Sequence, residues 1–231
     1  MINSRTQLGN TILLNASHVN EIVVNSNIDV EIKSSDVFSL SIFVNDKFIH
    51  QDNVKLSHYL QDGRYNIDVF LENVINMDAG IQLCIPKNII ALKGSNTLGD
   101  IKVYDLSLNS IILTNTEGDV FLCNSKILNS KIANEQGNVS LGNCNVQLIE
   151  VNNSNGDILF DKSIFVDAAL NNISGNIIVK SLEKSLKLNY HTSIGDLFLK
   201  GVVNDANSKS SLKTKSKMGD IKILLEQNYK S

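Results

Sequence analysis

The chain is almost without proline and wholly without tryptophan: Pro86 stands alone among 231 residues, and arginine occurs only as Arg5 and Arg64. Each shortage excludes something. Arginine forks are the usual readers of phosphate, and aromatic faces are the usual platforms for bases. Their scarcity, with a formal net charge of −3, excludes nucleic acid as a partner. The missing tryptophan also removes the common stacking platform for sugars and weighs against carbohydrate. The cysteines, Cys84, Cys123 and Cys144, are odd in number and form no C-x-x-C pair, so neither a disulfide framework nor a zinc site is expected. They read as small buried thiols. His18, His50, His58 and His191 are scattered without metal-ligand spacing, so no metal and no cofactor is expected.

No apolar run approaches the roughly 18 residues of a membrane span. The opening stretch, MINSRTQLGNTILLNASH, lacks the charged and apolar regions of a signal peptide. As written the protein is expected in the cytoplasm, and outside it if the N-terminus has been trimmed.

What is abundant is asparagine, with 31 residues. Asparagine tolerates left-handed backbone and turns and is depleted in helices and strands, so this much of it in a chain 42% hydrophobic implies a folded protein with many tight corners. The corners keep a metre. A glycine, then Asp or Asn, an aliphatic, any residue and a second apolar residue recur at Gly99, Gly118, Gly137, Gly156, Gly175, Gly195 and Gly219. A spacing near 19 residues is too short for a helical-pair repeat.

Period-two alternation fills the intervals. Ile101/Val103, Val120/Leu122, Val139/Leu141, Ile158/Phe160, Ile177/Val179, Leu197/Leu199 and Ile221/Ile223 hold the same offsets after the glycine. Ile111/Leu113, Ile149/Val151 and Ala168/Leu170 form a second set. One such coil cannot fold alone, because a handful of aliphatics at about 1.5–3 kcal/mol each does not offset about 1–2 kcal/mol of backbone entropy per residue. Stacked coils can. The expected fold is therefore all-β, a right-handed parallel β-solenoid with coils of about 19 residues. Three residues before successive glycines stand Asn96, Asn115, Asn134, Asn153 and Asn172, read as a structural ladder of stacked amides, with Thr192 and Ser216 continuing the column.

Residues 1–86 alternate too but lack the metre, and read as irregular β-rich coils or a cap; residues 87–231 read as the regular solenoid, closed by a short C-terminal cap in EQNYKS. Pro86 fits a junction between them.

The stretch IPKNI at Ile85, followed by GDIKV, LTNTEGDVFL and GNVSL, resembles the bacterial putative-adhesin family of β-strand repeats, a domain of unknown function. The resemblance covers roughly residues 80–225 and implies a β-helix that carries no catalytic residues.

The best enzymatic candidates are Asp100, Asp119, Asn138, Asp157, Asn176, Asp196 and Asp220, which stacking would place near the carboxylate separations of glycosidases, about 5–5.5 or 6.5–9.5 Å. Each follows a turn glycine, however, where Asp and Asn serve the backbone. The expectation is a non-enzymatic structural or interaction module, adhesin-like. Its alternatives are a carbohydrate-active β-helix and a filament-forming solenoid similar to the bactofilins. A protein partner or self-association remains as the contact. Between the inward pairs the outward residues Phe121, Leu159, Ile178 and Phe198 form a candidate apolar interaction stripe, interrupted by Ser140 and bounded by Lys102 and Lys222. The last, longer interval, with Lys209, Lys213, Lys215 and Lys217, reads as a solvated insertion.

Overall fold

A computed structural model describes residues 6–44, 53–72 and 79–226. Within them the chain forms only strands, turns and loops. The first eight strands are β1 (Thr6–Gln7), β2 (Ile12–Leu13), β3 (Glu21–Ser26), β4 (Asp29–Ser34), β5 (Ser39–Val44), β6 (Val54–Gln61), β7 (Arg64–Leu71) and β8 (Ala79–Ile85). A regular series follows: β9 (Ala91–Leu98), β10 (Ile101–Tyr104), β11 (Ser107–Glu117), β12 (Val120–Cys123), β13 (Lys126–Gln136), β14 (Val139–Gly142), β15 (Asn145–Asn155), β16 (Ile158–Asp161), β17 (Ile164–Ser174) and β18 (Ile177–Ser181). The chain closes with β19 (Ser185–Ile194), β20 (Leu197–Lys200), β21 (Val203–Asn204), β22 (Ser211–Met218) and β23 (Ile221–Leu225).

These strands make two mostly parallel sheets, of twelve and eleven strands, and neither closes into a barrel among the described residues. From β9 to β18 the chain alternates between the sheets, long strand then short. Each short strand pairs with its successor in parallel, Ile101 with Val120, Val120 with Val139, Val139 with Ile158 and Ile158 with Ile177. The facing inward side chains are buried between the sheets in one continuous core that runs from Val19 to Ile223. Strict alternation of buried and half-exposed residues in the short strands is the period-two signature of a sheet with one wet face.

The ends depart from chain order. In space the twelve-stranded sheet runs β8, β4, β10 through β18, then β23, then β20. The eleven-stranded sheet matches it, with β3 between β9 and β7 and β22 between β17 and β19. The coil of β3 and β4 and that of β22 and β23 are thus each tucked one place inside the end of the stack. At the N-terminal end antiparallel strands close the structure, with β5 against β8 and β6 against β7. Phe38, Leu40 and Val44 are buried there in the common core.

This order corrects one expectation. The lysine-rich interval is no solvated insertion, because Ser211–Met218 is a strand hydrogen-bonded on both sides, by β17 and by β19. The metre could not reveal this, since residues 185–200 follow β18 with almost the regular spacing. The tail beyond Glu226, read as a cap, and His50 lie outside the described residues.

Candidate functional site

Three residue columns run along the stack, and their geometry separates what holds the fold from what is free to act. The first is the turn. Gly99, Gly118, Gly137, Gly156 and Gly175 adopt φ from 97° to 124°, a region that L side chains rarely enter. They also touch: a Cβ on Gly137 would lie 2.2 Å from the carbonyl oxygen of Gly118. Glycine is required twice over, by conformation and by contact. Gly219 stacks on Gly175 and Gly195 on Gly219, following the spatial order of the strands.

The residue after each glycine builds a chain of hydrogen bonds. The backbone N–H of Asp119 donates to Asp100 Oδ1 at 2.9 Å, that of Asn138 to Asp119 Oδ1 at 2.7 Å, and that of Asp157 to Asn138 Oδ1 at 2.9 Å. The series continues through Asn176, Asp220 and Asp196, and begins at Asp29, which accepts from Asp100 N. The carboxylates of Asp100, Asp119, Asp157 and Asp220 are therefore members of a turn ladder, which Asp196 joins through its backbone N–H. Where Asn138 and Asn176 intervene, their side-chain amides also donate to Asp119 and Asp157. Where Asp stands beside Asp, a lysine joins: Lys102 contacts Asp100 at 2.8 Å and Lys222 contacts Asp220 at 3.3 Å. The N–H of Asp196, then Lys222, hold the Asp220 carboxyl below its usual range. For Lys102 burial favours the neutral amine, but the Asp100 hydrogen bond and charge outweigh it and raise its pKa.

The asparagines at the inner corner are in one register row, Asn96 beside Asn115, Asn134, Asn153 and Asn172, and all five are buried. The amides of Asn96, Asn153 and Asn172 reach backbone and not one another, while those of Asn115 and Asn134 are buried without a hydrogen-bond partner among the described residues. Asn153 Nδ2 donates to the carbonyls of Gly137 and Gly156, Asn172 Nδ2 to Gly156, and Asn96 Nδ2 to Leu98 and Gly99. Asn96, Asn153 and Asn172 hold the turn carbonyls from inside while the Asp and Asn residues of the ladder hold the turn N–H groups from outside. An amide-to-amide ladder is not what these bonds make.

A further pair of columns had no expectation attached. Asp105, Asn124, Asn143 and Lys162 occupy the left-handed region, φ 52–58°, at the corner after each short strand. The next residues include Ser125, Cys144 and Ser163, all buried. Leu106 N donates to Ser125 Oγ and Cys144 N to Ser163 Oγ. Cys144 thus takes a serine's place, its thiol pointing at the Gly142 carbonyl, and burial pushes its pKa up to about 11. Cys84 and Cys123 are only half-buried, contrary to the reading of all three as core thiols. The recurrence of N-S, N-C and K-S at intervals of 19 was the available signal.

The outward row of the twelve-stranded sheet carries the apolar stripe. Its spatial order is Glu31, Lys102, Phe121, Ser140, Leu159, Ile178, Lys222 and Phe198. Leu159 and Ile178 are adjacent, Phe121 lies beyond Ser140 and packs on Tyr104 with ring centroids 5.8 Å apart. Phe198 is separated from the rest by Lys222, whose ammonium sits 5.5 Å from the Phe198 ring centroid. The four residues therefore do not form the row bounded by Lys222 that alternation suggested. Three remain together.

The profile of the family described as Toastrack DUF4097 matches residues 19–231. The chain belongs to this family. No curated protein matches it. Among solved structures it is similar to a putative cell adhesion protein from Clostridium sporogenes, at 11% identity and TM-score 0.46, over 96% of this chain and 100% of that one. It is also similar to a putative adhesin from Bacteroides fragilis, at 12% identity and TM-score 0.47, covering 96% and 98% of the two chains. One from Parabacteroides merdae matches at 12% identity and TM-score 0.45, over 96% of each chain.

Along the long strands of the eleven-stranded sheet this Toastrack chain has a groove that crosses successive coils. Ser95, Thr114, Asn152 and Asn171 line one flank, Thr97, Thr116, Glu135 and Ser154 the other, and Lys215 and Lys217 lie at one end. No helix among the described residues is long and apolar enough to cross a membrane.

Proposed function

We propose that the protein is a non-enzymatic, adhesin-like structural or interaction module that engages a protein partner through Phe121, Leu159 and Ile178. Its framework is a right-handed parallel β-solenoid of about 19 residues per coil, the hand that nearly all parallel crossovers take. Residues 1–86 serve as its irregular capping part and residues 87–231 as the regular part.

The observation that carries the reading is the row itself: large apolar side chains in register on the wet face of a sheet, only partly buried by their neighbours. The non-enzymatic reading is supported by the occupation of the repeated carboxylates: Asp100, Asp119, Asp157 and Asp220 each accept a backbone N–H of the next turn. A groove for carbohydrate would call for paired carboxylates, and Glu135 is the one acidic residue among those lining the groove.

The test is binding of the purified chain to cell-surface protein fractions by surface plasmon resonance, with Phe121→Ser/Ile178→Ser as the comparison. Loss of binding with an unchanged melting temperature supports the stripe. Equal binding by a folded double variant refutes it.

A further inference from the structure

The two ends of the stack are unlike. At the N-terminal end the inward residues Ile67, Val69, Ile81 and Leu83 are sealed beneath the antiparallel strands β5 and β6. At the C-terminal end β20 is, among the described residues, the outermost strand of its sheet, and β21 pairs only with Ser185 and Leu186 of β19. Leu199 holds an inward position, the one at which Val179 and Ile223 are fully buried, yet it is 41% exposed. Phe198 is 46% and Ile194 68% exposed beside it. A strand edge with apolar residues on both faces is a template for a further strand.

The edge also states which strand fits. Asp196 directs both its backbone groups toward β23, its N–H to Asp220 Oδ1 and its carbonyl to Ile221 N. By alternation Phe198 and Lys200 do the same, so the N–H and C=O groups of Leu197 and Leu199 point to the free side. The segment reads D-L-F-L-K from Asp196 to Lys200. Laid antiparallel on a copy of itself with Phe198 facing Phe198, it sets Leu197 opposite Leu199 of the second copy as hydrogen-bonded pairs. The two phenylalanines fall in the closer, non-hydrogen-bonded site. In this one register Asp196 meets Lys200 of the second copy on each side of the axis, on the same face as the phenylalanines. A slip of two residues keeps the backbone pairing and loses both charge pairs. The strand is complementary to itself in hydrogen bonds, in apolar faces and in charge.

We infer that the C-terminal end of the stack docks onto a second copy of this chain, β20 against β20, as a two-fold symmetric dimer. Such a contact is isologous and closes, so it does not propagate. The closed, antiparallel N-terminal end, whose edge strand β6 carries Lys55 and His58, presents a different surface. The contact is independent of the stripe at Phe121, Leu159 and Ile178 and does not rest on a partner binding there.

Light scattering with size exclusion, over a concentration series, reads the dimer directly. The wild-type chain is expected to be dimeric at micromolar concentration. Asp196→Lys alone and Lys200→Asp alone each juxtapose like charges and are expected to give monomers, with melting temperatures measured in parallel to confirm the fold. The double exchange, Asp196→Lys with Lys200→Asp, restores the pairing and is expected to restore the dimer. Amide exchange at Leu197 and Leu199 should be slow in the dimers and fast in the folded single variants. A wild-type monomer at hundreds of micromolar, or a folded double exchange that stays monomeric, overturns the inference. A chain shortened at Glu226 that dimerises where the full chain does not would identify the C-terminal residues as the occupant, and would overturn it also.

Discussion

Replacing Gly137 by alanine tests the turn column at its centre. A side chain there must accept φ of 120°, a backbone state that costs about 1–3 kcal/mol for an L-residue. It must also place Cβ 2.2 Å from the Gly118 carbonyl oxygen, a backbone atom with no rotamer to escape through. The clash is relieved only by parting two turns. That separation strains the bond from Asn138 N to Asp119 Oδ1, 2.7 Å, and the one from Asn153 Nδ2 to the Gly137 carbonyl, 3.1 Å. Hydrogen bonds of this kind contribute about 0.5–1.5 kcal/mol each. The total is on the order of 2–6 kcal/mol, a large part of the 5–15 kcal/mol typical of a domain.

Gly142 supplies the control. It lies five positions along, in extended strand β14, and the nearest atom to an added Cβ is Cys123 Sγ at 3.7 Å, an ordinary contact. Gly142→Ala should be neutral, or stabilising by up to about 1 kcal/mol through the reduced entropy of the unfolded chain. Urea unfolding followed by far-ultraviolet circular dichroism compares the two. If Gly137→Ala falls within about 1 kcal/mol of wild type, or if Gly142→Ala is equally damaging, the close-stacked turn is not what requires glycine.

Asn138→Asp would lengthen the run of successive carboxylates from three, Asp29, Asp100 and Asp119, to five, ending at Asp157, and remove the amide donated to Asp119. Repulsion raises their folded-state pKa values, so the variant should be less stable than wild type at neutral pH by about 0.5–1 kcal/mol for these exposed groups, and the deficit should vanish as pH falls below about 4; a deficit that persists in acid would refute the electrostatic account. Cys144, with its thiol pushed up to about 11 by burial, should resist alkylation at pH 8 in the native protein and react on unfolding, which mass spectrometry of peptides labelled with and without urea would read.

The regular coils were legible because each repeats the few positions that stacking demands: a glycine for the turn, an Asp or Asn after it, and two inward aliphatics. The coil of β3 and β4 follows the same plan but escaped the pattern. In N-S-N-I-D-V-E-I, Asp29 begins the Asp/Asn ladder, Val30 and Ile32 are the inward pair, and Ile28 stands where the glycine would be. Its neighbours at that turn, Gly99 on one side and Gly80 on the other, supply the missing room. The spatial order of the last two coils was not legible for a different reason. Residues 185–200 and 211–225 both carry the motif, and local pattern cannot say which of two similar coils lies next to β18. Bond direction was hidden as well: an asparagine column is compatible with amide-to-amide or amide-to-carbonyl bonding until the turn carbonyls are located.

The turn ladder also explains the shape of the stripe. Outward positions carry lysine at Lys102 and Lys222, which pair with Asp100 and Asp220, so each of the two runs of adjacent aspartates in the ladder holds one lysine. They carry Leu159 and Ile178 in the coils of Asp157 and Asn176, where acid and amide alternate and no cation is needed. Lys102 and Lys222 therefore answer to the turns inside the chain, and their positions do not mark the rim of a partner's footprint. The apolar residues are free of that constraint. Since a turn ladder makes no demand for leucine, isoleucine or phenylalanine on a wet face, Phe121, Leu159 and Ile178 are the part of the row that the fold leaves unexplained. The proposed contact is therefore confined to these three, and Phe198, set apart by Lys222 and lying on the open edge of β20, falls in the proposed dimer contact instead.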